Sequence, residues 1–400
     1  MSSGVDSLFS TYLLYTRHPS TISSLSSSIN EPIPPTRPLS IQPMYMLNWL
    51  SPSTGKFCPS NLRDLSVVKS QLSTLLTFPP PPNTTLHPVS LHSYASSYYT
   101  EVFMPTLESY ESSITLNPDT SCNSLIKFDI AKEQSLKTSD LITTGHYATL
   151  KFGRLKIPRD VKKDQTYFMS TVDNFDRVFF PLESWLKNGR KGVRESLHDV
   201  GLGEYDKKDS MGMCMVPSGE SFEDLVREYA EGGGDEEKGG GDIRLAETGE
   251  RVGGWNSNSK NPVYYTVGQR VPVNGYPKKL FMLRREGNGD VVVVDDTTSD
   301  LLYSSELECG EFNWMGGEEG GWARGRIRHG QPLIECEYRK TEGGGVKVKW
   351  KKALRAVAKG QICCLYDDEG YVIGGGAITW TGGEIDGMAK AKSGDNDRSV

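Results

Sequence analysis

The chain of 400 residues has no apolar run approaching the ~18 residues of a membrane helix, so no membrane span is expected. It has no CxxC pair. Its seven cysteines, an odd number, are Cys58, Cys122, Cys214, Cys309, Cys336, Cys363 and Cys364. That set argues against a disulfide scaffold or a structural zinc site and suits a reducing compartment. A strong charge of one sign is also missing: the formal net charge is −6, which by itself announces no nucleic-acid partner.

Local charge is more informative. Residues 151–194 carry eleven Lys/Arg against five Asp/Glu, and residues 322–359 carry eleven against three. Solvated faces are the plain reading, and two surfaces able to grip nucleic-acid phosphates are the functional one. Much of the glycine lies in runs such as 232–241, a Gly/acid stretch that reads as a mobile insertion.

The pattern of elements changes along the chain. Residues 17–40 are rich in Ser, Pro and Thr and read as an irregular surface insertion. Ile41–Trp49 has strand character. The spacing of Leu62, Leu65, Val68 and Leu72 predicts a helix over 61–77, ended by the prolines at 79–82. A strand over 86–91, a helix over 99–110 kinked at Pro105, a helix over 126–134 and a strand over 141–144 follow. Alternating strands and helices favour a doubly wound α/β domain with a parallel sheet. Helices are expected at 191–200 and 220–230. After Val263 short β runs take over at 279–284, 291–294, 323–328, 333–338, 346–350 and 361–366, which reads as a small antiparallel barrel. The expected division is 1–205 nucleotide domain, 206–275 central linker domain, 276–381 C-terminal β-barrel and 382–400 disordered tail.

The beginning organises the rest. Ser2-Ser3-Gly4-Val5-Asp6-Ser7 runs into an apolar helix, as a phosphate-cradling turn does. A plain helix N-cap has the same look. Doubly wound folds place an apolar strand directly before such a loop, and only Met1 precedes it here. That reads as a truncated start, which any organellar targeting peptide would have preceded.

Further stretches follow in order: Asn117-Pro118-Asp119 before Cys122-Asn123, Thr144-Gly145-His146-Tyr147-Ala148, Lys163-Asp164-Gln165, Lys208-Asp209-Ser210-Met211-Gly212-Met213-Cys214, and Tyr264-Tyr265-Thr266-Val267-Gly268-Gln269-Arg270. Together with the Ser2–Ser7 loop they resemble the tRNA-specific 2-thiouridylase family of PP-loop (HUP-like) ATPases, whose loop reads SGGVDS. The resemblance covers most of the chain. It implies ATP at Ser2, Ser3, Gly4, Val5, Asp6 and Ser7, with Met46 and Gly145 beside the nucleotide, and Mg²⁺ as a cofactor without protein metal ligands. It implies a persulfide on Cys214, a nucleophilic Cys122 that later pairs with it as a disulfide, and Asp119 as a proton carrier. Contacts to tRNA are expected at Asn117, Pro118, Asp119, His146, Lys163, Asp164, Gln165, Arg328, His329 and Gln361.

Taken as chemistry alone, a lone cysteine is usually an inert buried residue and Met46 a core residue. Asp119 after Pro118 suits an Asx turn as well as a proton carrier. Ser3 stands where the family has glycine, and its side chain is expected to crowd the phosphates or strain the backbone. The family implies tRNA and a sulfur-donor protein as partners, a monomer, and a mitochondrial location, or a cytoplasmic or plastid one. The rival readings are another AMP-forming PP-loop ligase, which needs no cysteine pair, and a degenerate tRNA-binding protein without ATP use.

Overall fold

The computed structural model describes residues 2–28, 33–49, 59–111, 114–203, 205–207, 240–255, 265–286 and 289–382. Two compact units emerge. The first takes residues 1–102, 119–220 and 370–372, and the second takes 103–118, 221–369 and 373–400.

In the first unit the helix α1 spans Val5–Tyr15, directly after Gly4. Its face of Val5, Leu8, Phe9 and Leu13 is buried. It packs with Leu65, Val68, Leu72 and Leu75 of α3 (Pro59–Leu75) and with Val193, Leu197 and Leu202. The Ser-rich segment expected to be irregular contains a helix, α2, Pro19–Ser28. Proline at a first helical position has no N–H to waste and a preset φ. Leu25 then anchors the helix against Leu14 and Phe179.

Short strands follow: β1 (Leu39–Ile41), β2 (Met44–Leu47), β3 (Thr84–Leu86), β4 (Ser90–Ser93), β5 (Ile142–Thr143), β6 (Thr149–Lys151), β7 (Arg154–Lys156) and β8 (Val178–Phe179). The pairs β1–β3, β2–β4 and β5–β8 are parallel, in keeping with the α/β class read from the alternation. They form three separate two-stranded ladders. The expected strand over 86–91 is two strands, β3 and β4, interrupted at Pro88.

The helical region expected to kink at Pro105 does so in a specific way. Ala95–Tyr98 is α-helical, Tyr99–Phe103 is π-helical, and Met104–Glu111 returns to α. A proline cannot donate to the preceding turn, and a wider turn accommodates that. A second π segment, Cys122–Ile130, continues a short turn at Pro118–Ser121 and passes into Ala131–Ser135.

The second unit is mostly β. Strands β9 (Gly241–Leu245), β10 (Arg251–Trp255), β11 (Arg270–Val271), β12 (Leu280–Arg285) and β13 (Val291–Val294) form one sheet in the order β10-β9-β13-β12-β11. The runs at 279–284 and 291–294, expected in the barrel, pair here instead. All four valines of β13 are buried, and a strand buried on both faces shows no alternation to place it.

The remaining strands are β14 (Tyr303–Cys309), β15 (Asn313–Trp314), β16 (Gly320–Arg326), β17 (Ile334–Lys340), β18 (Val346–Arg355), β19 (Ile362–Tyr366) and β20 (Val372–Trp380). Six of them follow the order β14-β18-β17-β16-β19-β20, and β14 pairs back with β20, which closes the expected antiparallel barrel. Leu307, Val346, Val348, Trp350, Cys336 and Leu365 fill it. Among the described residues no helix is long and apolar enough to cross a membrane.

Candidate functional site

The loop at the head of α1 carries its own logic. Gly4 is the N-cap, in extended conformation, and among the described residues no side chain makes a cap hydrogen bond there. The first N–H groups of α1 therefore keep their affinity for an external acceptor. Ser2 and Ser7 join hydroxyls at 2.9 Å across the turn. Ser3 is buried, and its hydroxyl accepts from Lys207 Nζ at 2.7 Å. Its φ is not among the positive ones. The backbone strain expected of Ser3 is therefore absent, and its hydroxyl is used inside the protein.

Asp6 is held from two sides. Tyr147 donates its hydroxyl to Oδ1 at 2.9 Å, and Lys187 donates to Oδ2 at 2.6 Å. Lys187 is 1% exposed, so its charge is compensated by Asp6 rather than by water. Gly145 touches the same loop. A β-carbon there would lie 3.0 Å from the Asp6 carbonyl carbon and 3.1 Å from Ser7 N, so only glycine lets the strand end approach. The loop and the Thr144–Ala148 motif thus meet, as expected from a crevice beyond strand ends. Met46 sits partly exposed on β2, on the face opposite the buried Tyr45 and Leu47.

These residues fit a polyphosphate: an uncapped helix N-terminus, small side chains and the ammonium of Lys207. They offer no protein cage for Mg²⁺. Among the described residues no group of three His, Cys, Asp or Glu is placed to hold a metal ion. Mg²⁺ would be held mainly by phosphate oxygens and water.

His146 lies beside this loop. Its Nδ1 shares a hydrogen bond of 2.8 Å with Thr144 Oγ1, and its ring meets Phe128 and Phe180. Burial, helped by the charge of Lys127, lowers its pKa to about 3, so the imidazole is neutral at working pH.

Asp119 lies in the turn Pro118–Ser121, and Cys122 follows at the start of the π segment. Three residues apart in helical backbone, they share one face. Cys122 is 1% exposed. Asn123 beside it donates to Phe168 O and accepts from Lys127 Nζ at 3.0 Å, so the segment is tied down. Cys214, its expected partner, lies outside the described residues.

The remaining expected tRNA contacts divide by what their side chains touch. Asp164 is buried and accepts from both N and Oγ1 of Thr166. Gln165 and Tyr147 bind each other reciprocally, Tyr147 N to Gln165 Oε1 and Gln165 N to Tyr147 O. Both residues therefore shape the loop next to Lys163 and position Tyr147, which in turn holds Asp6. Arg328 donates to the carbonyls of Val267 and Ala356, and His329 is exposed in the turn that follows. Gln361 donates to Thr115 O at 2.8 Å. Its neighbour Gly360 has φ +85°, and a β-carbon there would lie 2.5 Å from Ile114. This clasp fixes the segment that leads into Asn117 and Pro118.

Four of the eleven Lys/Arg of residues 322–359 are paired within the barrel. Lys347 pairs with Glu308 at 2.9 Å, Lys340 with Glu319 at 3.5 Å, Lys349 with Glu306 at 3.9 Å, and Lys351 with Glu335. Most of those carboxylates lie outside residues 322–359, and only strand register brings them across. Cys309, Cys336, Cys363 and Cys364 are buried in the same barrel and joined in no disulfide. Burial pushes Cys336 up to about 12 and helps raise Cys363, whose first cause is a hydrogen bond with Cys309. Raised in this way, Cys336 and Cys363 are inert thiols.

Sequence reasoning gave no role to Lys187, Lys207 or Tyr147. Tyr147 stood inside a quoted motif and Lys207 beside one, so proximity was the available signal. Lys187 gave none, because nothing in Leu186-Lys187-Asn188 marks a buried lysine.

The parallel strand pairs and the open loop at α1 define an α/β domain of the PP-loop, HUP-like kind, and an antiparallel barrel follows it. Residues 85–218 match the family model described as a tRNA methyl transferase HUP domain, and residues 304–378 match the aminomethyltransferase beta-barrel domain. The chain is 30% identical over 301 residues to the tRNA-specific 2-thiouridylase MnmA of Malacoplasma penetrans, covering 72% of this chain and 77% of that one. It is 29% identical to the MnmA of Bacillus licheniformis, over 84% and 87%. It is also 29% identical to the mitochondrial tRNA-specific 2-thiouridylase 1 of Drosophila melanogaster, over 69% and 74%. The chain belongs to the tRNA-specific 2-thiouridylase family.

Proposed function

We propose that the protein is an ATP-dependent tRNA-uridine 2-sulfurtransferase that makes 2-thiouridine at the wobble position. The observation that carries the reading is the joining of the open loop at α1 to the Thr144–Ala148 motif, through Asp6, Tyr147 and Gly145.

The chemistry follows from the substrate. The C2 oxygen of uracil is a poor leaving group, and ATP supplies the adenylyl group that turns it into one. The α1 N-terminus and Lys207 would hold the phosphates, and Mg²⁺ bound to them would spread their charge. The outer sulfur of a Cys214 persulfide becomes bonded to C2, and AMP departs with the oxygen. The Cys122 thiolate attacks the inner sulfur of Cys214, breaking the S–S bond and leaving a Cys122–Cys214 disulfide for an external thiol to reduce. Asp119, one turn before Cys122, takes the thiol proton. The target base leaves its stack to reach the site.

The sulfur arrives from a persulfide-bearing donor protein, and the protein works as a monomer. The Drosophila relative's name supports a mitochondrial location, and the bacterial relatives leave a cytoplasmic one open. Against the reading without ATP use stands Ser3, whose hydroxyl accepts from Lys207 and whose φ is not positive.

ATP–pyrophosphate exchange dependent on tRNA, followed by mass spectrometry of the tRNA nucleosides, tests the proposal. Exchange plus a sulfur-for-oxygen mass change in one uridine is the expected result. Exchange without thiolation would point to a ligase, and tRNA binding without exchange to a degenerate binder.

A further inference from the structure

The hairpin β6–β7 carries an unusual tip. Lys151 pairs with Arg154, Leu150 with Leu155 and Thr149 with Lys156, so Phe152-Gly153 is a two-residue turn. Both turn residues have positive φ, +54° at Phe152 and +74° at Gly153. Asparagine or glycine suits the first position, and a bulky aromatic residue there is strained. The strain brings no packing in return, because Phe152 is 95% exposed. A ring held in an unfavourable conformation and left in water points to a use outside the fold.

The surroundings say which use. Residues 147–159 contain Lys151, Arg154, Lys156 and Arg159 and not one carboxylate, and across the fold Glu183 lies within electrostatic reach of Lys151. Arg154 and Lys156 lie on one face of β7, and both stand over the Tyr371 ring, at 4.9 and 4.3 Å. Lys156 and Tyr371 are also bridged through their backbones. The two cations are thus held in place before any partner arrives, which reduces the entropy lost on binding. An exposed aromatic face with cations beside it is how proteins hold unpaired nucleotides: the base stacks and the cations take the phosphates.

We propose that the Phe152 tip is a stacking platform for an unpaired base of the tRNA, with Lys151, Arg154 and Lys156 gripping the adjacent phosphates. This rests on the tRNA reading above and adds to it a site outside the catalytic loop. Tyr371 is a positioning residue for the two cations.

The test is tRNA binding by the full chain, measured by fluorescence anisotropy across a salt series with an unmodified tRNA transcript bearing a wobble uridine. Phe152→Asn puts a turn-compatible residue in place, so the hairpin is retained. It weakens binding on the order of tenfold with an unchanged salt slope. Phe152→Trp keeps the affinity of the parent. Arg154→Gln weakens binding and lowers the salt slope by about one contact. Equal affinity of Phe152→Asn and the parent would overturn this proposal alone. So would an unchanged tRNA affinity with slower sulfur loading from a persulfide-bearing protein, which would assign the tip to that partner. A parent chain that does not bind tRNA would overturn the functional reading as well.

Discussion

Lys187 Nζ lies 2.6 Å from Asp6 Oδ2, joining two residues 181 positions apart. The lysine side chain is 2% exposed and the carboxylate 31%, so the pair is buried at one end only. Breaking such a pair costs more than the pair itself contributes, because a charge is left without a partner.

Lys187→Met is therefore expected to destabilise the protein by about 1–3 kcal/mol, read as a lower urea midpoint. The double variant Lys187→Met/Asp6→Asn should recover most of that loss. ATP use should stay impaired in both, since the loop has lost its anchor. Recovery of ATP use along with stability would show that Asp6 serves only the fold.

Ser3 makes a sharper prediction than its place in the loop motif suggested. Ser3→Gly removes the hydrogen bond to Lys207, so stability falls by about 1 kcal/mol. Affinity for ATP should not rise. Isothermal titration with a non-hydrolysable ATP analogue checks this, and tighter binding by Ser3→Gly would restore the crowding account.

His146 gives a pH signature. Its pKa in the folded protein, about 3, lies below the ordinary histidine value of 6.5. The unfolded chain therefore binds the proton first as pH falls. The contribution of His146 to stability is complete above about 6.5 and is lost progressively towards 3. His146→Gln should flatten the fall in unfolding free energy between pH 6.5 and 4.5. An unchanged slope would mean that the imidazole is protonated in the folded state.

The barrel lysines should matter little for RNA affinity. Lys347, Lys349 and Lys351 each face a glutamate across the strands. Replacing all three by Gln should change the salt slope of tRNA binding by less than one contact. Neutralising Lys151, Arg154 and Lys156 should lower it by about two to three. The reverse ranking would move the RNA surface to the barrel.

Much of this arrangement was legible, for reasons that differ from place to place. The strands of the barrel announce themselves because one face is wet: β18 alternates buried and exposed from Val346 to Trp350. β13, with four buried valines, has no such alternation, and nothing in the run itself says which sheet it joins. The loop at α1 and Gly145 could be read from local composition and ordered motifs. The helix α2 could not, because serine-rich composition hid a proline start and a single anchoring leucine. Lys187 and the paired barrel lysines depend on contacts between distant positions, and a window of sequence does not contain them. Asp164 and Gln165 read as RNA contacts, and in the fold their side chains also accept from Thr166 and from Tyr147 N, bonds that the motif alone does not reveal.

The two-cysteine mechanism is the centre of the account, and one experiment addresses it most directly. Wild type, Cys122→Ser and Cys214→Ser are loaded with radiolabelled sulfur from a persulfide donor. Each is then given ATP and tRNA for a single turnover without reductant. The account predicts that Cys214→Ser takes up no label and that Cys122→Ser takes it up but makes no 2-thiouridine. Wild type should transfer the label to tRNA and end with a Cys122–Cys214 disulfide on peptide mapping. Forming it requires the two Cα atoms to come within about 7 Å. Cys122→Ser that makes 2-thiouridine at the wild-type rate would contradict the mechanism, and a direct persulfide attack assisted by Asp119 would take its place.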